Sequence, residues 1–317
     1  MTGGEAMSRG ESGSVPTPGR PVAVFDSGIG GLTLVKALLE RAPETSIVYF
    51  GDTARLPYGS KSDATIERQS LECLRFLLGF DPSLVVVACN TASSIALPAL
   101  VRSIDRPVVG VIDAAVTASL NATRSRKIGI IGTAATIRSG GYERRLRERA
   151  SDLTLVNQAC PLFVPLVEEG WIDHDVTRQV AREYLAPVLA AGIDTLILGC
   201  THYPLLKPVL AEVAGPGVTL IDTGAETAAE VASGLHARGG GAQGSVSAPG
   251  SVSVSTPGAA ARGATPGTLR FFVSDVPSRF EINGARFLGR PLGPVTLVEQ
   301  SDVPWYARRS DIPKGKS

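Results

Sequence analysis

The chain carries the same order of short motifs twice, and this repetition limits its possible folds more than any other feature. VAVFDSGIGG is echoed by IGIIGTAATIRSGG, VVVACNTASS by LILGCTHYPL, and VVGVIDAA by TLIDTGAE. Corresponding positions lie about 110 residues apart in all three pairs, as for Cys89 with Cys200 and Asp113 with Asp222. We therefore predict two related units in which equivalent chain positions carry equivalent chemistry.

Each unit alternates short runs rich in β-branched residues with amphipathic helical patterns, of which 64–78 and 177–190 are the clearest. The runs are continuously apolar, as in parallel strands that are covered on both faces. This order predicts an α/β fold with parallel sheets, in which ligands bind beyond the carboxyl ends of the strands. The predicted strands are 22–25, 47–50, 84–88, 108–112, 128–131, 153–156, 196–198 and 218–221.

Composition narrows the functional classes. The 317 residues include 44% hydrophobic residues and have a net charge of +1, which favours neither nucleic acid nor a membrane surface as a partner. No apolar run is long enough for a membrane-spanning helix, and we expect no secretory signal and a cytoplasmic location. Residues 1–20 and about 238–267 are rich in Gly, Ser and Pro, and we expect a disordered tail and a disordered insertion.

The four cysteines do not have the spacing of a zinc site, and we expect no metal. Cys89 and Cys200 each follow a predicted strand and precede polar residues and a helical pattern, so a helix N-terminus could favour their thiolates. A buried small apolar role is the usual alternative for a free cysteine. Two cysteines at equivalent strand ends favour catalysis instead, whereas Cys73 and Cys160 are interpreted as structural.

Two equivalent bases suit the inversion of a stereocentre. One group removes a proton from one face of a carbon and the other supplies a proton to the opposite face. Asp26 could assist Cys89, and His202 or Glu168 could assist Cys200. Alternatives remain open: Asp26 could be a turn or cap residue, His202 a buried core histidine, and Glu168 or Glu169 a solvated carboxylate.

A small substrate with two carboxylates and an ammonium group fits the remaining polar residues. The loop containing Tyr58 and Gly59 could close over it and present backbone N–H groups. No arginine clamp is recognisable, and the glycines of DSGIGG lack the spacing of a nucleotide-binding turn. The candidate donors are Asn90, Thr91, Thr133, Thr136 and Thr201.

Six motifs in order resemble the glutamate racemase family: FDSGIGGLTL, YFGDTARLPYGSKS, VACNTASS, GTAATIRSGGY, CPLFVPLVE and LGCTHYPLL. The segment FFVSDVPSRFEINGARFLG is similar to the C-terminal part of that family. The resemblance implies racemisation of glutamate for peptidoglycan, without pyridoxal phosphate or another cofactor. It implies that Cys89 acts on the D-enantiomer and Cys200 on the L-enantiomer.

The resemblance also implies two pseudo-symmetric α/β domains with the site at their interface. The first would comprise 21–112 and 223–310, and the second 113–222. It supports Asp26, His202 and Glu168 as auxiliary groups. Glutamate is the expected partner, and a homodimer stays open. The implied substrate contacts are Asp26, Ser27, Tyr58, Gly59, Asn90, Thr91, Thr201 and His202.

Two other functions are compatible with the same fold. An aspartate racemase would use the same two-thiol chemistry in a pocket of different length. A non-catalytic binding protein would be expected to lack one thiol or one auxiliary group, and this chain keeps them all.

Overall fold

The structure is a computed structural model and describes residues 19–239 and 266–298. The predicted tail 1–20 and insertion 238–267 lie outside these residues except at their edges. Ten strands are present in the described part of the chain. They are β1 Val22–Asp26, β2 Ile47–Gly51, β3 Leu84–Val87, β4 Val108–Gly110, β5 Lys127–Gly132, β6 Thr154–Ala159, β7 Thr195–Gly199, β8 Thr219–Asp222, β9 Leu269–Val273 and β10 Val295–Leu297.

The strands form two parallel sheets whose inner order is the same. One sheet runs β10-β9-β2-β1-β3-β4 and the other β6-β5-β7-β8. The segment β2-β1-β3-β4 is thus equivalent to β6-β5-β7-β8, as the duplicated motifs predict. All eight predicted strands are present, whereas β9 and β10 extend the first sheet without having been predicted. The α/β fold with parallel sheets is confirmed, and the exact domain boundaries stay a prediction.

Helices connect the strands and cover both sheets. The predicted helices 64–78 and 177–190 correspond to α2 Asp63–Leu78 and α9 Asp175–Ala190. The helices are α1 Leu32–Arg41, α2 Asp63–Leu78, α3 Asn90–Ile95, α4 Leu97–Ser103, α5 Ile112–Ala122, α6 Ala134–Ser139, α7 Gly141–Arg149, α8 Phe163–Glu168, α9 Asp175–Ala190, α10 Lys207–Ala214, α11 Thr223–Gly239 and α12 Pro277–Leu288. Short 3₁₀ turns occur at Thr53–Arg55, Tyr58–Ser60 and Tyr203–Leu206.

One apolar core joins the two sheets. It contains Val24 and Tyr49 of the first sheet together with Leu196 and Leu198 of the second, and all four side chains are fully buried. Burying such side chains stabilises each by about 1.5–3 kcal/mol relative to exposure. This shared core holds the two sheets together, so that groups beyond the ends of their strands are kept in a fixed relation.

The register places the candidate groups at matching points. Phe25 pairs with Val87, so Asp26, the last residue of β1, and Cys89, two residues beyond β3, lie at the carboxyl ends of neighbouring strands. In the second sheet Gly132 pairs with Gly199, which puts Thr133 and Cys200 in the equivalent places. The carboxyl ends of β3 and β7 therefore each present one thiol.

Candidate active site

Cys89 is the N-cap residue of α3. Its Sγ accepts a hydrogen bond from the N–H of Ala92 at 3.5 Å and donates to the Ser27 hydroxyl at 3.4 Å. The side chain is 5% exposed. Burial, followed by the negative charge of Asp26, raises the pKa of the Cys89 thiol to about 12. Cys89 therefore keeps its proton at neutral pH and can act as an acid.

Cys200 lies in a different setting from the one predicted. The helical pattern after it begins with the 3₁₀ turn Tyr203–Leu206, and α10 starts only at Lys207, so Cys200 does not directly precede an α-helix as Cys89 does. The sulfur lies instead 3.9 Å from Nδ1 of His202. The sequence could not separate these alternatives, because Pro at the start of either helix type is favourable.

His202 connects Cys200 to a carboxylate. Its Nε2 lies 3.0 Å from Oε1 of Glu168, at the end of α8. Burial alone would lower the pKa of His202, but hydrogen bonds to Cys200 and Glu168 outweigh burial and raise it to about 10. The imidazole is thus cationic at neutral pH and can donate from both nitrogens, to the sulfur and to the carboxylate.

Glu168 also borders an open cavity. The cavity has a volume of about 250 Å³, and Ile29, Leu56 and Phe280 contribute to its wall. The side chain of Glu168 is 25% exposed, whereas that of His202 is only 6% exposed. Glu168 is therefore the point at which the Cys200–His202 pair meets solvent.

Asp26 connects the two halves of the site. It is fully buried, and its Oδ2 accepts the N–H of Gly28 at 2.9 Å, as a turn aspartate would. Its Oδ1 accepts the Thr201 hydroxyl at 3.5 Å, across from the other sheet. Burial raises the pKa of Asp26, although the positive charge of His202 opposes this rise. Asp26 is not the N-cap of α1, since Gly31 occupies that position.

Three threonines close one side of the site. Thr91 Oγ1 lies 2.9 Å from that of Thr133 and 3.0 Å from that of Thr136, so α3 of one half meets α6 of the other. Thr133 is the N-cap of α6. Gly59 packs directly on this group, because a Cβ at position 59 would lie 2.6 Å from Cβ of Thr133. The predicted loop and the predicted hydroxyls are thus brought together.

The Tyr58 phenol is directed towards Asp52 and Cys73. It is 1% exposed, and its hydroxyl donates to Oδ2 of Asp52 at 2.6 Å. Both carboxylate oxygens of Asp52 also accept from the single Nε–H of Arg55, and Oδ1 accepts from the Ser274 hydroxyl. A substrate contact by Tyr58 would therefore have to come from its backbone, because the phenol anchors the loop to the first sheet.

The other two cysteines are also buried. Cys73 belongs to α2, and its sulfur lies 3.7 Å from the Tyr58 hydroxyl and 3.8 Å from Oδ2 of Asp52. Burial raises the pKa of its thiol. Cys160 is fully buried, and burial likewise raises the pKa of its thiol. Within 19–239 and 266–298, no three His, Cys, Asp or Glu side chains are arranged to hold a metal ion. No helix in these ranges is long and apolar enough to cross a bilayer.

Two residues near the thiols were missed by the sequence analysis. The hydroxyl of Tyr142, on α7, donates to Oδ1 of Asn90, and Thr223 Oγ1 donates to the same oxygen at 3.2 Å. Tyr142 stands in the motif GTAATIRSGGY, yet nothing in the sequence places it next to Asn90, 52 residues away. Thr223 lies 133 residues from Asn90, and the duplicated motif TLIDTGAE that contains it gives no indication of this contact.

Comparison with known proteins gives the family of the chain. A family model described as Asp/Glu/Hydantoin racemase matches residues 32–231. The glutamate racemase of Geobacter metallireducens is 46% identical over 281 residues, which cover 89% of this chain and 97% of that protein. The chain belongs to the glutamate racemase family.

Solved structures of the family share the fold. The glutamate racemase of Bacillus anthracis has a TM-score of 0.79 at 35% identity, over 89% of this chain and 98% of that one. The Francisella tularensis glutamate racemase, solved in complex with D-glutamate, has a TM-score of 0.76 at 34% identity, over 88% of this chain and 97% of that one. The glutamate racemase family is a family of isomerases, and the resemblance noted in the sequence is confirmed.

Proposed function

We propose that this isomerase interconverts L- and D-glutamate by a two-base mechanism in which Cys89 and Cys200 act on opposite faces of Cα. The observation that carries the proposal is the placement of these two thiols at equivalent strand ends of two equivalent sheets. Their electrostatic surroundings are opposite, with Asp26 near Cys89 and cationic His202 beside Cys200. The charge of Cys200 itself contributes to the raised pKa of Cys89, after burial and Asp26, which supports their proximity.

Racemisation needs the two sulfur atoms in opposite protonation states. A Cys200 thiolate takes the α-proton of L-glutamate; the C–H bond breaks, its electron pair stays on Cα, and an S–H bond forms. The Cys89 thiol then donates its proton to the opposite face, which gives D-glutamate and a Cys89 thiolate. The reverse reaction starts from that state. Positioned acid–base groups of this kind contribute roughly 10²–10⁴-fold each to a rate.

Polar groups around the thiols suit a dicarboxylic amino acid. Asn90, Thr91, Thr133, Thr136 and Thr201 would donate to carboxylate oxygens, and the backbone N–H groups near Gly59 would add further donors. Asp26 and Ser27 would face the ammonium group. Carbanion stabilisation would rest on these fixed donors, and we propose that the chemistry proceeds without pyridoxal phosphate.

The named relatives support glutamate as the substrate, since one of the similar structures was solved with D-glutamate. We propose that the D-glutamate produced is used for peptidoglycan. A cytoplasmic location and a homodimeric assembly stay predictions.

Circular dichroism of L-glutamate solutions tests the proposal directly. The purified protein without added pyridoxal phosphate should bring the signal to zero, as expected for an equal mixture of enantiomers. L-aspartate in parallel tests the other substrate of the superfamily. Turnover of aspartate alone, or an absolute need for pyridoxal phosphate, would overturn the proposal.

A further inference from the structure

The Asn90 side-chain amide is held from one end only. Its Oδ1 accepts hydrogen bonds from the hydroxyls of Tyr142 and Thr223, which belong to α7 and to the first turn of α11. Its Nδ2 is buried and has no hydrogen-bond partner among the described residues. Asn90 as a whole is 2% exposed. The amide therefore has a satisfied oxygen and an unsatisfied nitrogen.

The direction of the amide matters because its two ends have opposite properties. The oxygen accepts hydrogen bonds and the NH₂ group donates two, while the shapes of the two ends are nearly identical. A phenol has a single hydrogen, and Oδ1 of Asn90 is the acceptor that it contacts. Turning the amide round would remove the acceptor from a fully buried hydroxyl, which is unfavourable.

The free NH₂ group belongs to the residue that directly follows Cys89. Tyr142 lies close enough to the site that the charges of Cys200 and Cys89 add to the effect of burial in raising the pKa of its phenol. Buried polar groups in native structures are almost always satisfied, and an orphaned donor beside reacting groups indicates a missing ligand. A hydrogen-bond acceptor on the substrate would satisfy the NH₂ group of Asn90.

We propose that Tyr142 and Thr223 are positioning residues that fix the Asn90 amide so that its NH₂ group donates to a carboxylate oxygen of the substrate. This inference rests on the proposed racemase function and extends it to how the substrate is oriented. The position admits a carboxylate and disfavours the ammonium group, because an NH₂ donor opposite an ammonium would be unpaired. Neither residue takes part in proton transfer.

Steady-state kinetics with L-glutamate test the inference. Tyr142→Phe and Thr223→Val should each raise KM about threefold to tenfold and leave kcat within about twofold, since they weaken one hydrogen bond to bound substrate. Thr223→Ser keeps the hydroxyl and should behave like the wild type. Tyr184→Phe is the matched control, because the Tyr184 hydroxyl accepts a hydrogen bond from the backbone N–H of Leu162, just before α8. Melting curves check that all variants fold.

A double-mutant cycle separates positioning from direct action. If Tyr142 acts through Asn90, Tyr142→Phe should have no further effect on KM in an Asn90→Ala background. An undiminished effect in that background, or a loss of kcat with a shifted pH profile, would show that Tyr142 acts on the thiols themselves and would overturn the inference. Both outcomes require an active wild type, so a wild type without racemase activity contradicts the proposed function instead.

Discussion

The Nε2 atom of His202 lies 3.0 Å from a carboxylate oxygen of Glu168, while its Nδ1 lies 3.9 Å from the sulfur of Cys200. The imidazole therefore bridges a buried thiol and a partly exposed carboxylate. No equivalent bridge is found at Cys89, whose sulfur contacts the Ser27 hydroxyl and a backbone N–H in the described part of the chain. The two thiols thus have matching positions and unlike surroundings.

Glu168→Gln should move the alkaline limb of the pH–rate profile to lower pH. Glu168 helps to raise the pKa of His202 to about 10, so the imidazolium persists through neutral pH and is lost as the pH rises through that value. Without the carboxylate this loss begins at lower pH. The measurement is kcat/KM for L-glutamate against pH. Glu169→Gln, one residue away, is the control; an unchanged alkaline limb in Glu168→Gln would contradict the assigned role.

Asp26→Asn should make Cys89 more reactive towards iodoacetamide and the enzyme slower. After burial, the charge of Asp26 is the largest contribution to the raised pKa of the Cys89 thiol, so removing it increases the thiolate fraction at pH 8. Mass spectrometry of the Cys89 peptide measures the alkylation rate. Racemisation should fall by roughly 10²-fold if Asp26 assists proton transfer.

The peptides containing Cys73 and Cys160 are internal controls, because burial raises the pKa of both thiols independently of Asp26. Their alkylation should be the same in both proteins. Equal labelling of Cys89 in wild type and variant would show that Asp26 does not act on this thiol.

Gly59→Ala should weaken substrate binding. The new Cβ would lie 2.6 Å from that of Thr133, so either the loop or the start of α6 must shift. Displacements of about 1 Å at a site can cost up to about 10²-fold in rate, and we expect kcat/KM to fall by at least about tenfold. Gly217→Ala, where a Cβ meets no atom within 4 Å, should leave kcat/KM unchanged. Wild-type kinetics in Gly59→Ala would exclude a role for this packing.

Asp194→Asn should lower the melting temperature at neutral pH and lower it less at pH 2.5. Partial burial opposes ionisation of Asp194, yet hydrogen bonds from the Ser125 and Arg124 N–H groups and the Thr123 hydroxyl hold its pKa well below the usual range. Because the folded pKa is depressed, this stabilisation is complete above about pH 5, declines below the ordinary pKa of about 4, and is lost only as the pH falls through the depressed pKa of the folded protein.

The expected loss at pH 7 is about 1–2 kcal/mol, or a melting temperature about 2–4 °C lower. Asp152→Asn is the control, since Asp152 is exposed and forms only a surface ion pair with Arg126. Scanning calorimetry should show a smaller difference for Asp194→Asn at pH 2.5 than at pH 7. A constant difference at both would contradict the assigned charge state.

Much of the fold could be predicted because its signal is local and occurs twice. Continuous apolar runs mark eight strands, and duplicated motifs place Cys89 and Cys200 at equivalent strand ends. The strand β9 was missed because it follows a compositionally biased segment, and β10 because three half-exposed residues at a sheet edge give almost no pattern.

The finer geometry of the site depends on contacts between distant segments. The direction of the Tyr58 phenol is set by Asp52 and Ser274, the latter 222 residues from Asp52, and no local pattern carries that information. The hydroxyls that meet Asn90 come likewise from far along the chain. Motifs thus predicted which residues matter, while tertiary packing decides which atoms they present.

The central claim is that two different sulfur atoms handle the proton on the two faces of Cα. Racemisation of L-glutamate in D₂O tests it most directly, with chiral separation and mass spectrometry early in the reaction. We predict that newly formed D-glutamate carries one deuterium at Cα, delivered by Cys89, while the remaining L-glutamate keeps its hydrogen because Cys200 returns the proton that it removed. Deuterium entering the remaining L-glutamate as fast as the product, or a product that keeps the original hydrogen, would contradict the account.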